Sequence, residues 1–332
     1  MLALQITEEA KEKLKIIELP VPTIGAGEAL VKLTASALNR RDQWIREGKY
    51  PNIKPNTTLG SDGCGTVEKV GSEADAHWIG KKVIINPNIG WGENPLFQSP
   101  HYQILGMPTQ GTFAEYIAVK IDRLHLKPEH LTDEQASAIP LGGLTAYRAV
   151  FTMGGLQAGE NVLISGVGGG VATLAFQFAL ASKANVYVTS GNKEKIDKAI
   201  QEGALGGANY KDANWNKDLH EKIKGLNLVV DSAGGKGFSD FIRMMKPAGR
   251  IVFYGATQGL PTTLDLYRMF YYQIKIQGIT MGNDEEFAQM VQFINTHKIV
   301  PFIDSVRPFA DIISAFDDIK SGKQFGKIII NQ

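Results

Sequence analysis

The sequence predicts an α/β chain in two parts, a β-rich barrel-like part and a doubly wound parallel sheet. Three observations carry this. Residues 162–181, VLISGVGGGVATLAFQFALA, run from an apolar triplet through four glycines into Ala172, Leu174, Ala175, Phe178 and Ala179 at helical spacing. From about Lys127 onward, apolar strand-like stretches alternate with helix-like ones, the pattern of a parallel sheet. Before the glycine turn the strands are short, separated by turns and polar on one face, as in a compact barrel.

In the first part, residues 29–33 (ALVKL) alternate after the turn signal Gly25-Ala26-Gly27-Glu28, and residues 65–70 (GTVEKV) alternate before Gly71-Ser72. Residues 82–85 (KVII) follow as another strand. Residues 39–45 suit one or two helical turns, and residues 86–111, rich in proline and glycine, read as a long loop of the kind that forms functional lobes or lids. In the second part, residues 133–151 carry helical spacing behind the N-cap candidate Thr132. Then come the glycine turn, a strand at 185–189 (NVYVT), a polar helix at 193–202 and a buried strand within 225–233. A helix at 238–245, strands at 250–255 and 275–281, a helix at 285–296 and a mixed end at 305–332 complete the pattern.

Bulk properties narrow the function. With 332 residues the chain holds two substantial cores. A net charge of +1 with 21% charged residues gives no field for nucleic acid or for an acidic partner. The single cysteine, Cys64, excludes an internal disulfide framework and a multi-thiolate metal site. The first residues lack a basic-then-apolar signal, and there is no apolar run of about 18 residues, so a soluble cytoplasmic protein without membrane partners is expected.

Strand, glycine turn and helix in succession form the first step of a dinucleotide-binding unit. Glycines let the backbone approach a pyrophosphate, and the helix start offers unpaired N–H groups and partial positive charge. Glycine-rich turns also join strands to helices without a ligand, so the flanking motifs decide.

Those motifs are residues 22–33 (PTIGAGEALVKL), 59–71 (LGSDGCGTVEKVG), 111–116 (GTFAEY), 138–147 (AIPLGGLTAY), 246–255 (KPAGRIVFYG) and 324–329 (QFGKII). With the glycine turn, and in this order, they resemble the medium-chain dehydrogenase/reductase superfamily, in its zinc-independent quinone oxidoreductase and 2-enoyl reductase branch. The resemblance runs over nearly the whole chain. It implies a GroES-like catalytic domain (residues 1–126), a Rossmann domain binding the nicotinamide cofactor (127–270) and a return to the first domain (271–332). A homodimer is expected, with an edge strand in the run 264–279 pairing across a two-fold axis.

On matching motifs, the cysteine, histidine and cysteine that hold catalytic zinc elsewhere in the superfamily correspond here to Asn39, Ser61 and Leu141. None is a usual zinc ligand, the lobe at 86–111 lacks the four cysteines of the structural zinc, and no bound metal is expected. Without a Lewis acid, hydride addition to an enone or quinone is better matched than reduction of a plain aldehyde, because the charge spreads into an enolate or hydroquinone.

The resemblance places Gly166, Gly168, Gly169, Gly170 and Val171 at the cofactor, Gly166 ending the strand and Gly169 under the pyrophosphate, with Gly255 and Lys327 also at the cofactor. NAD-binding relatives of this fold carry an acid near the end of the second strand. Here that strand ends in Thr189-Ser190-Gly191 without a carboxylate. Ser190, Lys193 and Lys195 would bind a 2′-phosphate beneath Tyr210 of the Asn209-Tyr210-Lys211 segment, which points to NADP(H). Alternatively, Lys193 and Lys195 belong to a solvated helix face.

Residues 39–51 (NRRDQWIREGKYP) match the segment lining the family's cleft. There Tyr50 is the expected proton donor, Asn39 hydrogen-bonds the carbonyl or the nicotinamide ribose, and Asp62 orients Asn39. Arg40 and Arg41 depart from the family pattern and either grip an anion or face solvent. The reading is an NADPH-dependent, metal-free reductase of quinones or α,β-unsaturated carbonyls, acting on a small molecule. A metal-free alcohol dehydrogenase or carbonyl reductase and a non-catalytic NADPH-binding protein are the alternatives.

Overall fold

The computed structural model describes residues 1–8 and 12–332. It divides into two compact units, Met1–Leu144 with Gly282–Gln332, and Thr145–Met281. In chain order the elements are β1 (Leu2–Ile6), β2 (Leu14–Glu18), β3 (Glu28–Ala37), α1 (Arg40–Arg46), β4 (Asp62–Val70), β5 (Lys82–Ile85), β6 (Asn88–Ile89), β7 (Gln103–Ile104), β8 (Tyr116–Lys120), β9 (Leu124–Leu126), α2 (Asp133–Ser137) and α3 (Pro140–Tyr147). Then come β10 (Asn161–Ile164), α4 (Gly170–Ala181), β11 (Asn185–Ser190), α5 (Lys193–Gln201), β12 (Gly206–Asn209), α6 (Trp215–Ile223), β13 (Leu226–Asp231), α7 (Phe238–Met244), β14 (Met245–Phe253), α8 (Leu266–Tyr272) and β15 (Lys275–Gly278). The chain closes with α9 (Asp284–His297), β16 (Ile303–Pro308), α10 (Ile312–Ser321) and β17 (Lys327–Asn331).

The first unit is built on β3. This ten-residue strand pairs antiparallel with β4, β8 and β17 in a sheet ordered β16-β17-β3-β4-β5-β9. Alternate residues Ala29, Val31 and Leu33 point into one core with Val67, Val83, Ile117 and Leu124. A second core gathers Leu38, Ile45, Leu59, Phe113, Phe316, Ile328 and Ile330. The register sets Ala37 opposite both Asp62 and Ile329, and the Leu38 N–H donates to the Ile328 carbonyl at 3.0 Å. Three distant segments therefore end at one point of the sheet.

The second unit holds six strands in the order β12-β11-β10-β13-β14-β15, all parallel. Strand order reverses between β10 and β13, and the glycine turn follows β10 at that reversal. Val162, Leu163 and Ile164 are fully buried, as are Leu228, Val229 and Val230, which is why both strands read as continuous apolar runs. Together these are the GroES-like and Rossmann-like architectures of a medium-chain dehydrogenase fold.

Some local expectations change. The helical run at 133–151 is α2, then α3 beginning at Pro140, then a π-helical turn at Arg148–Thr152; proline cannot donate into a preceding turn. The first of these, α2, packs on β3 and β4. The long loop contains the two-residue pair β6–β7. The sequence predicts no element at β1, β2, β8, β9 or β12, nor at α6 and α8, the latter preceding β15 within the run 264–279. Among the described residues no helix is long and apolar enough to cross a membrane.

Gly326 sets the entry to β17. Its φ is +103°, and a Cβ there would stand 2.2 Å from the Phe302 carbonyl oxygen. Gly326→Ala is expected to lose about 1–3 kcal/mol in denaturant unfolding.

Candidate active site

Asn39 follows β3 as the N-cap of α1, Asp62 opens β4 and Lys327 opens β17. The strand register brings all three together. Lys327 Nζ donates to Asp62 Oδ2 at 2.8 Å and to Asn39 Oδ1 at 2.7 Å, while Asn39 Nδ2 donates to Asp62 Oδ2 at 2.8 Å. Asp62 Oδ1 accepts the Leu141 N–H at 2.7 Å. Asp62 is wholly buried and Lys327 nearly so, so the pair is tolerable only because its lone pairs and protons are matched.

Beside it stands Arg41, also buried. Its Nη1 donates to Ser61 Oγ at 2.5 Å and to the Leu105 carbonyl at 2.8 Å, and Nη2 donates to the Met107 carbonyl at 3.1 Å. Its Nε donates to the Tyr50 hydroxyl oxygen at 3.3 Å, and the guanidinium carbon lies 4.8 Å from the Tyr50 ring centre. Arg40, in contrast, turns to the last carbonyls of α10, at Ile319 and Lys320. Asp42, buried within α1, accepts the Asn39 N–H at 2.8 Å through Oδ2. Burial pushes its carboxyl up to about 6 against the opposing charge of Arg41. Burial also pushes the Cys64 thiol up to about 12, which leaves it a small inert core residue.

The three positions corresponding to zinc ligands elsewhere are poorly suited to that ion. Asn39 Oδ1 is taken by an ammonium, Ser61 Oγ by a guanidinium, and Leu141 offers only its backbone. Zinc needs three or four N, S or O donors in tetrahedral array, and two cations already stand against the polar ones. Among the described residues no group of three or more His, Cys, Asp or Glu is placed to hold a metal.

In the second unit, Gly166 (φ +63°) and Gly168 (φ +152°) turn the chain from β10 into α4. Gly169 caps α4 without a side-chain hydrogen bond, and a Cβ there would meet nothing within 4 Å. The amides of Gly170 and Val171 thus begin a helix whose approach is open, as a pyrophosphate requires. Ser165 donates to Asp231 Oδ1 across the strand reversal, and Asp231 also accepts the Ala233 and Gly234 N–H groups. Burial raises the Asp231 carboxyl while these bonds oppose the rise. Gly255 follows β14, where a Cβ would stand 2.9 Å from the Ser232 carbonyl oxygen.

At the end of β11, Ser190 is buried and accepts the Asn192 N–H at 3.2 Å. Tyr210 and Lys211 lie over Gly191, whose added Cβ would meet the Tyr210 hydroxyl at 2.6 Å and Lys211 Cε at 2.8 Å. Lys193 pairs with Asp197 on the exposed face of α5, the solvated alternative, and Lys195 is half-buried. Lys327, expected at the cofactor, donates from its ammonium to Asn39 and Asp62. Sequence reasoning left Arg41 undecided, named Lys211 only as part of the segment 209–211, and passed over the Ser165–Asp231 contact.

The family model for the alcohol dehydrogenase GroES-like domain matches residues 25–129, and that for zinc-binding dehydrogenase matches residues 170–296. A zinc-type alcohol dehydrogenase-like protein of Leptosphaeria maculans is 36% identical, over 96% of this chain and 94% of its own. An acryloyl-coenzyme A reductase of Sulfurisphaera tokodaii is 28% identical, over 96% and 97%. The crystal structure of an NAD-dependent alcohol dehydrogenase superposes with a TM-score of 0.93 at 33% identity, covering 100% of both chains.

Two outcomes are expected. Lys327→Met, which strands the buried Asp62 carboxylate, should cost about 3–5 kcal/mol in denaturant unfolding. The second concerns Asp42, whose carboxyl is raised from 3.8 to about 6 on folding. The folded state therefore holds a proton that the unfolded chain releases, and stability falls as pH rises from about 4 to about 6. Asp42→Asn should remove up to ~3 kcal/mol of that fall, measured as unfolding free energy against pH.

Proposed function

The chain belongs to the medium-chain dehydrogenase/reductase superfamily, and on that premise we propose that it is an NADPH-dependent, metal-free oxidoreductase. Its acceptor is a quinone or an α,β-unsaturated carbonyl compound. The observation that carries this is the pair of cations, Lys327 and Arg41, on the polar side chains at two of the three positions where zinc-dependent members hold their metal. Bound NADPH supplies the hydride. The charge that follows spreads over an enolate or hydroquinone, which hydrogen-bond donors in a dry site can stabilise. Tyr50 donates the proton, and Asn39, held through both ends of its amide by Asp62 and Lys327, orients the carbonyl or the ribose.

NADP(H) rather than NAD(H) is favoured by the end of β11, which lacks a carboxylate and is followed by Gly191 beneath Tyr210 and Lys211. We assign the protein to the cytoplasm as a homodimer joined through the edge strand β15. The relative named acryloyl-coenzyme A reductase is consistent with an activated alkene. The relatives named alcohol dehydrogenases favour a second reading, a metal-free carbonyl reductase.

NADPH oxidation across enals, enones, quinones and saturated aldehydes, with both cofactors titrated and zinc assayed, tests the proposal. NADPH should bind at least about tenfold more tightly than NADH, the worth of one charge-assisted hydrogen bond. Activated acceptors should outrun saturated aldehydes, and Tyr50→Phe should lower kcat by about 10²–10⁴. Stoichiometric zinc with loss of activity to a chelator, or tighter NADH binding, would overturn it.

A further inference from the structure

Arg41 has no role in that reading beyond blocking a metal, yet its surroundings are unusual for a buried cation. Among the described residues its hydrogen bonds all go to neutral oxygens, those of Ser61, Leu105, Met107 and Tyr50, and the neighbouring buried Asp42 carboxyl feels its charge through space without a hydrogen bond to it. A neutral side chain could hold those carbonyls with less loss of hydration. What the charge adds is a field at the Tyr50 oxygen. A guanidinium only donates, so the Tyr50 oxygen is the acceptor at 3.3 Å and its own proton must point elsewhere. The ring is held as well, 4.8 Å from the guanidinium carbon and packed against the core of Leu38, Ile45 and Met107.

We propose that Arg41 is the positioning residue of Tyr50: it fixes the phenol by its oxygen and ring, turns the hydroxyl proton toward the acceptor, and offsets the charge left as that proton departs. The inference rests on the function proposed above. In the step itself, hydride from NADPH forms a C–H bond at the β-carbon of the enone and leaves NADP⁺. The alkene electron pair moves toward the carbonyl, the Tyr50 O–H bond breaks as the proton passes to the enolate, and water restores the phenol proton.

The test is a double-mutant cycle in the full-length protein with NADPH and the best enal from the acceptor panel. Arg41→Lys keeps a charge but loses the fork. It is expected to lower kcat ~10- to 100-fold with little change in KM, and to raise the solvent deuterium isotope effect. In the Tyr50→Phe background the same substitution should cost nothing further. Equal losses in both backgrounds, or an unchanged isotope effect, overturn the proposal while leaving the reductase reading intact. A wild-type protein that turns over no acceptor sinks both. If Arg41→Lys does not fold, Arg41→Gln enters the same cycle, and failure of both to fold makes Arg41 structural and ends the proposal.

Discussion

The Lys327–Asp62 ion pair is the interaction on which the first unit depends. Removing two charges from water costs several kcal/mol each, and a buried pair survives only with near-complete hydrogen bonding. Here the match is supplied by the Asn39 amide and the Leu141 N–H. Those four residues come from the N-cap of α1, the starts of β4 and β17, and the first turn of α3. A slip of one residue in either strand pairing would turn Asp62 or Lys327 to the opposite face. The sheet register and the polar site thus enforce one another.

Arg41 extends the same logic one helical turn on. Its guanidinium donates to Ser61 on one side and Tyr50 on the other, with the buried Asp42 carboxyl beside it in the chain. With Asn39 Oδ1 held by Lys327 and Ser61 Oγ by Arg41, a metal would have to displace a cation already in place, and the buried donors suit groups that gain negative charge during a reaction. That preference is common to the proposed enolate or hydroquinone chemistry, and it does not require a Lewis acid.

The second unit meets a different constraint. Its strand order reverses between β10 and β13, which leaves the ends of those strands without a crossover above them. The glycine turn and the Ser165–Asp231 contact both lie at this point. Gly166 and Gly168 adopt backbone angles that side chains rarely take, so the turn can be tight while the start of α4 remains open.

The parallel sheet was legible because strands such as residues 162–164, buried on both faces, read as unbroken apolar runs next to glycines. The replacement of zinc-ligand types at Asn39, Ser61 and Leu141 could likewise be read from residue identity once the motifs were aligned. Strands β1, β2, β8, β9 and β12, the break of the 133–151 run and the side-chain partnerships could not. Lys193 and Lys211 look alike in the sequence, yet one pairs with Asp197 on a helix face and the other lies over Gly191. Arg40 and Arg41 are neighbours, yet α1 turns one to the carbonyls of α10 and the other inward to Tyr50. Local periodicity and residue chemistry determined the fold class and the poverty of metal ligands. The meeting of Asn39 with a lysine 288 residues further on was decided by the tertiary structure, because it depends on strand register that no local pattern encodes.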